Sequence, residues 1–171
     1  MNITFYELDS YNSGRLLPFT VDLEPLSSRF EYLEVIKEEL AKIKEANPKY
    51  NCEEWIVAGY EDVPSSLIGE WDLKKEFWDY KEVLDSGYCD WEVIEAAIDC
   101  DIPADKIEDA YQGRWESDED FAYDLWEQCA TKEQQEAANS WPLNCIDWER
   151  AAMDLMFDFN SSNNHYFSRN Y

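Results

Sequence analysis

The stretch ITFYELDSYNSGRLLPFTVDL, Ile3 to Leu23, decides how this 171-residue chain begins. Ile3 to Leu8 is dense in β-branched and aromatic residues, and Leu17, Phe19, Val21 and Leu23 recur at the strand period of two. Between them, Tyr11-Asn12-Ser13-Gly14 carries turn chemistry: glycine accepts a positive φ, and Asn and Ser offer local hydrogen bonds. The segment predicts two strands joined by a turn.

Downstream, Ser28 and Glu31 fit a capping box, and Phe30, Leu33, Ile36, Leu40 and Ile43 recur at helical spacing until Asn47-Pro48. Trp55 to Tyr60 reads as a third strand, so residues 1–64 form a ββαβ unit. Residues 65–106 are helical in character. Asp72 is placed to cap a helix with Leu73, Phe77, Tyr80 and Leu84 inward, ending near Gly87. Asp90 starts another, with Trp91, Ile94 and Ile98 inward, and Pro103 opens a third. In residues 107–171, Tyr111 to Glu116 suits a strand, and Ser117-x-x-Asp120 starts a helix with Phe121, Leu125 and Cys129 inward. Trp148, Ala152, Leu155 and Phe159 mark a final helix, and His165 to Tyr171 a closing strand. The predicted fold class is α+β in three small domains, 1–64, 65–106 and 107–171.

Charge narrows the function. The chain holds 39 acidic against 14 basic residues and one histidine, a formal charge of −25. Binding to nucleic-acid phosphates or anionic membranes relies on Lys and Arg, so neither is an expected partner. Disorder is disfavoured because 45% of the residues are hydrophobic, including 8 Trp, 11 Tyr and 8 Phe. The acid is costly: two carboxylates about 7 Å apart in water repel by roughly 0.6 kcal/mol before screening. Something other than stability must account for it. The five cysteines, Cys52, Cys89, Cys100, Cys129 and Cys145, show no C-x-x-C spacing and read as small buried hydrophobes in a reducing cytosol. With no signal-like or membrane-spanning run, the expected location is the cytoplasm.

The acid is not evenly spread. In the first long helix Glu34, Glu38 and Glu39 are interleaved with Lys37, Lys42 and Lys44, an ordinary solvated face. From Tyr60 to Glu127 there are 22 acids and 5 bases, so this stretch carries −17 of the −25. Asp72, Glu76 and Asp79 fall at i, i+4 and i+7; Glu92, Glu95 and Asp99 at i, i+3 and i+7; Asp120, Asp124 and Glu127 repeat the first spacing. Asp105, Glu108, Asp109, Glu116, Asp118 and Glu119 extend these rows. Solubility alone is served by mixing in Lys, so bare acid rows point to a partner that reads negative charge. B-DNA carries one charge per 1.7 Å of axis, so 25 charges match the phosphates of roughly twelve base pairs. Such an array suits a basic DNA-binding groove.

Catalytic constellations fail by comparison. No G-x-S-x-G, P-loop or H-E-x-x-H pattern occurs, and the single histidine, His165, sits in a polar tail and reads as a surface residue. A calcium loop at Asp99, Asp101 and Asp105 fails at its sixth and twelfth positions, Ala104 and Ala110. Trp115, Trp126 and Trp148 could line a sugar cleft but sit at core-like spacing. No catalytic residue, metal site or cofactor is expected. The competing class is an acidic hydrolase, a glycosidase or a metal-dependent enzyme; an acidic chaperone for basic proteins is a milder form of the charge-reading class.

Four segments in order, YNSGRLLPFTVDL (Tyr11–Leu23), EEWIVAGYEDVP (Glu53–Pro64), DAYQGRWESDEDFAYDLWE (Asp109–Glu127) and IDWERAAMDL (Ile146–Leu155), resemble the ArdA antirestriction proteins. The resemblance implies three small domains in an elongated, curved dimer that mimics bent B-form DNA. It also implies binding to type I restriction-modification enzymes in place of their DNA, as an anti-defence protein of a mobile element or phage; another DNA-handling defence system is the alternative target. A homodimer through the C-terminal third has weaker support from the residues. Residues 128–171 hold six acids and three bases, the least repulsive face, together with Trp148, Met153, Met156, Phe157, Phe159 and Tyr166 as interface candidates.

Overall fold

The computed structural model describes residues 1–138, 140–141 and 143–171, with Leu143 described by its backbone only. It is α+β, with eight α-helices and two three-stranded antiparallel sheets among the described residues. The chain packs as two compact units, Met1–Trp91 and Glu92–Tyr171, and the boundary falls inside the predicted helical segment 65–106.

In the first unit, β1 (Asn2–Glu7) lies between β2 (Pro18–Asp22) and β3 (Trp55–Glu61), antiparallel to both. The alternation read from the sequence is the burial pattern: Ile3, Phe5, Phe19, Val21 and Leu23 are buried. Helix α2 (Arg29–Ala46) supplies Tyr32, Ile36 and Leu40 to this core, and Ser28 caps it by accepting the Glu31 N–H. Phe30, predicted inward, is 73% exposed. Tyr32 and Ile36 set the buried stripe, which leaves Phe30 on the first turn outside it.

Two further expectations in this unit are corrected. The turn at Tyr11–Gly14 is preceded by a short helix, α1 (Leu8–Asn12), because the buried Glu7 at the end of β1 accepts the Asp9 and Ser10 N–H groups as its cap. Asp72 does not cap a helix. Its carboxylate accepts the Tyr32 hydroxyl at 2.5 Å and the Leu73 N–H at 2.8 Å, and pairs with Arg29 at 3.3 Å. An Ile68–Leu73 bridge holds this loop extended, so α3 starts later, at Phe77, and ends at Asp85. Lys81 of α3 is buried, with its ammonium on Asp85 at 2.5 Å.

The second unit is built on a sheet of order β4-β6-β5: β4 (Tyr111–Arg114), β6 (His165–Ser168) and β5 (Phe159–Ser162). Phe159, predicted to close the last helix, opens β5 instead; α8 (Trp148–Leu155) ends four residues earlier. The β5–β6 turn is Asn163-Asn164, both at positive φ, which asparagine tolerates better than most residues. Residues facing one another across strands point to the same side. Tyr166 opposite Ser161 therefore shares one face with Phe159, and both pack on Phe121 of α6 (Asp118–Cys129), at ring separations of 4.6 and 4.9 Å. His165 opposite Ser162 and Phe167 opposite Asn160 share the other face. There α4 (Trp91–Asp99) is tied down, since Asp99 accepts the Ser162 hydroxyl and the Cys100 carbonyl accepts from the Asn160 amide. With α5 (Ile107–Ala110) leading into β4, the unit is helix, sheet, helix in three layers. Covering both faces buries His165, Tyr166 and Phe167 in succession.

The expected surface position of His165 is thus overturned: it is buried, with its Nδ1 within 2.9 Å of the Tyr111 hydroxyl. The cysteine expectation is also revised. All five are free; Cys129 and Cys145 are exposed, while burial pushes the Cys89 thiol up to about 11. A helix not anticipated from the sequence, α7 (Lys132–Ala137), carries a full capping box between Thr131 and Gln134. No helix among the described residues is long and apolar enough to cross a membrane.

Candidate functional site

The acidic residues singled out from the sequence meet different fates. Asp72, bonded to three groups of its own unit, is a structural bracket, and burial together with the Asp72 bond raises the Tyr32 phenol well above its usual range. Glu76 precedes α3 at its N-cap position without making a side-chain cap bond, and Asp79 lies in the first turn, both exposed. These three do not form a row on one helix.

The other two rows form as read. Glu92, Glu95 and Asp99 are exposed on α4 while Val93, Ile94, Ala96 and Ala97 are buried beneath them. On α6, Asp118, Glu119, Asp120 and Glu127 are exposed and Asp124 is half-buried, opposite the buried Phe121 and Ala122. Asp105, Glu108, Asp109 and Glu116 are exposed on the segments between. The two helices lie on opposite faces of one sheet, and both rows reach residues of that sheet.

What holds these carboxylates is informative. Asp99 accepts from Ser162, Asp118 from the Tyr166 hydroxyl at 2.6 Å, and Asp120 from Ser117 at 2.7 Å. Asp124 accepts from the Trp115 indole at 3.1 Å and the Gln128 amide at 3.0 Å, and Glu127 from the Tyr123 hydroxyl at 3.0 Å. Every one of these donors is neutral. They fix the carboxylates in place and leave the charge uncancelled. The proton balance agrees: burial and the Asp118 bond raise the Tyr166 phenol, and the Glu127 bond raises Tyr123, so both phenols stay donors. Among the described residues only two ion pairs occur in this unit, Arg114–Glu92 and Lys106–Asp105, each at 3.7 Å.

A family model described as antirestriction protein (ArdA) matches residues 6–168. The chain belongs to the ArdA antirestriction family. No curated protein and no solved structure gives a match. Antirestriction proteins act against restriction-modification systems. No group of three or more His, Cys, Asp or Glu among the described residues is arranged to hold a metal ion.

The predicted interface residues divide in the same way. Tyr166 and Phe159 belong to this ArdA unit's own core around Phe121. Trp148 packs on Tyr123 and Trp126, at 5.1 and 5.7 Å. Met156 is half-buried, while Met153 and Phe157 stand 67% and 75% exposed. Sequence reasoning missed the orienting donors Ser162, Tyr166 and Trp115. Their partners lie up to 63 residues away in the chain, so no local pattern marks them.

Proposed function

We propose that this ArdA protein inhibits a type I restriction-modification enzyme by occupying its DNA-binding groove as an imitation of B-form DNA, without catalysis. The observation that carries this reading is the set of carboxylates on α6, with Asp99 of α4, oriented by neutral donors. At 1.5 Å per residue, Glu92 to Asp99 places three charges over about 10.5 Å. Asp118 to Glu127 places five over about 13.5 Å. One DNA strand places a phosphate every 3.4 Å, or about three and four over those lengths. Each helix therefore carries close to one strand's charge, and the sheet stands between the two rows. Preorganised charge loses less on binding than charge on free side chains, because ordering has been met in folding.

The reading extends to a homodimer through the C-terminal third, with Met153 and Phe157 as the apolar residues left open for a mate. The test is competition. Purified protein is titrated into a type I enzyme holding a labelled duplex with its recognition sequence, at two salt concentrations. Stoichiometric displacement that weakens as salt rises is expected. Displacement independent of salt, or none, overturns the reading. A target in another DNA-handling defence system would give no displacement here and the same salt dependence there.

A further inference from the structure

The first unit carries a cavity of about 530 Å³ lined by Leu8, Glu53, Glu54, Trp55, Trp71 and Asp72. Its volume lies within the range of small-molecule and side-chain pockets. The walls are held. Leu8 donates its N–H to the Glu54 carbonyl at 3.0 Å, and Trp55 packs edge-on against the buried Phe5. The Trp71 loop is pinned to β3 by the Val57 N–H on the Glu70 carbonyl, and by the three bonds of Asp72. Trp71 nevertheless stands 49% exposed, a large indole that this unit's core does not use. Glu53 and Glu54 are exposed beside it, and no base lines the cavity.

We propose that this cavity is an anchor site for one arginine side chain of the partner protein. The chemistry follows from what lines it. An indole face attracts a cation through its quadrupole, and a guanidinium, being planar and weakly hydrated, stacks there more readily than an ammonium. Adjacent carboxylates accept its fork of N–H groups, and Leu8 with the two indoles covers its aliphatic stem. Arginine in a pocket with tryptophan is also the pairing on which binding energy concentrates at protein interfaces. The inference rests on the proposed reading for the identity of the partner, since a DNA-binding groove is lined with such side chains. The pocket chemistry itself can be tested apart from it.

Acetyl-arginine amide is titrated into the intact protein carrying ¹⁵N-labelled indoles, with the neutral isostere acetyl-citrulline amide as control. Arginine amide is expected to shift the Trp55 and Trp71 signals at millimolar concentration, at least fivefold more strongly than citrulline amide, and Trp71→Ala and Glu54→Gln each to weaken the Trp55 response. Equal response to the two amides, a stronger response to acetyl-lysine amide, or shifts confined to other indoles would overturn the site. Against a type I enzyme, Trp71→Ala should then lose roughly tenfold in inhibition with the slope of affinity against salt unchanged. A positive amide titration without inhibition by the parent protein would locate the failure in the partner, not in the pocket.

Discussion

Helix α2 of the first unit and helix α6 of the second treat their carboxylates in opposite ways. Residues 1–91 hold 20 acids and 9 bases, and residues 92–171 hold 19 acids and 5 bases. Six ion pairs are found in the first unit and two in the second among the described residues. In the first, Lys37 sits on Glu34 at 2.6 Å and Lys42 on Glu39 at 2.7 Å, so the α2 surface is largely self-compensated. In the second, serine, tyrosine, tryptophan and glutamine do the holding. A cation and a neutral donor can both fix a carboxylate; only the second leaves it able to attract a partner's cation. On α2 the acid is largely cancelled where it stands; on α6 it remains able to attract a partner's cation.

The largest effect that can break this comparison is structural. Phe121 is buried among Trp115, Phe159 and Tyr166 at ring separations of 4.6–4.9 Å for its closer pairs, and it joins α6 to the sheet. Phe121→Ala should cost about 3–5 kcal/mol. If the two units have separate cores, urea titration will show an early transition for Glu92–Tyr171 while probes in Met1–Trp91 keep their midpoint. A single transition shifted as a whole would show that the units fold as one.

Next in size is the charge itself. Replacing Glu92, Glu95, Asp99, Asp120 and Glu127 by their amides should weaken inhibition by about 100-fold and flatten its salt dependence, since several weak contributions add. The matched change of five acids on the first unit, Glu34, Glu38, Glu39, Glu45 and Glu31, should cost less than tenfold. Inhibition constants at two salt concentrations decide it. Equal losses from both sets would mean that net charge, not arrangement, carries recognition.

How much of this was readable beforehand follows from the range of each interaction. Both Ser28 and Ser117 cap the helices assigned to them, at 3.3 and 3.1 Å, because a cap is written within four residues. The α4 and α6 rows were legible for the same reason, being a helical spacing on one flank. Asp72 was not. Its bond to Tyr32 spans 40 residues, and it turns a plausible cap into a bracket for another helix. His165 escaped because a polar tail says nothing of a sheet covered on both sides, and its partner Tyr111 is 54 residues away. The bond that Cys52 donates from its N–H to the buried Glu7 at 3.2 Å was equally invisible, since it spans 45 residues.

A smaller effect probes the orienting donors. Tyr166→Phe keeps the ring in the Phe121 cluster and removes only the hydroxyl bond to Asp118, costing about 1 kcal/mol. The pH dependence has a fixed sign. Burial and Asp118 raise the folded phenol above its ordinary value, so its contribution is complete below about pH 10 and falls as pH rises beyond it. Denaturant midpoints should hold level up to about pH 9.5, decline in the parent from there to about pH 11.5, and decline less in Tyr166→Phe. Parallel decline in both would assign the alkaline loss to other groups, of which Tyr32, raised in the same direction, is the first to examine.

The smallest effect is the most discriminating. Tyr123 is 44% exposed and donates to Glu127 four residues along α6, so Tyr123→Phe alters neither charge nor core. If a carboxylate only has to be negative, this variant should inhibit as well as the parent. If it also has to be held, freeing Glu127 adds side-chain entropy that binding must remove, and inhibition should fall roughly twofold. Glu127→Gln removes the charge itself and should fall further, about threefold. Combining the two changes should add nothing to Glu127→Gln, because Tyr123 acts through that carboxylate alone. Additive losses in the double variant would show instead that the Tyr123 ring itself meets the partner. These are small differences, so inhibition must be measured at low salt, where screening conceals them least. The same cycle built on Lys37 and Glu34 of α2 supplies the contrast. There the partner is a cation, and Lys37→Met removes the cancelling charge, so inhibition should stay level or rise slightly.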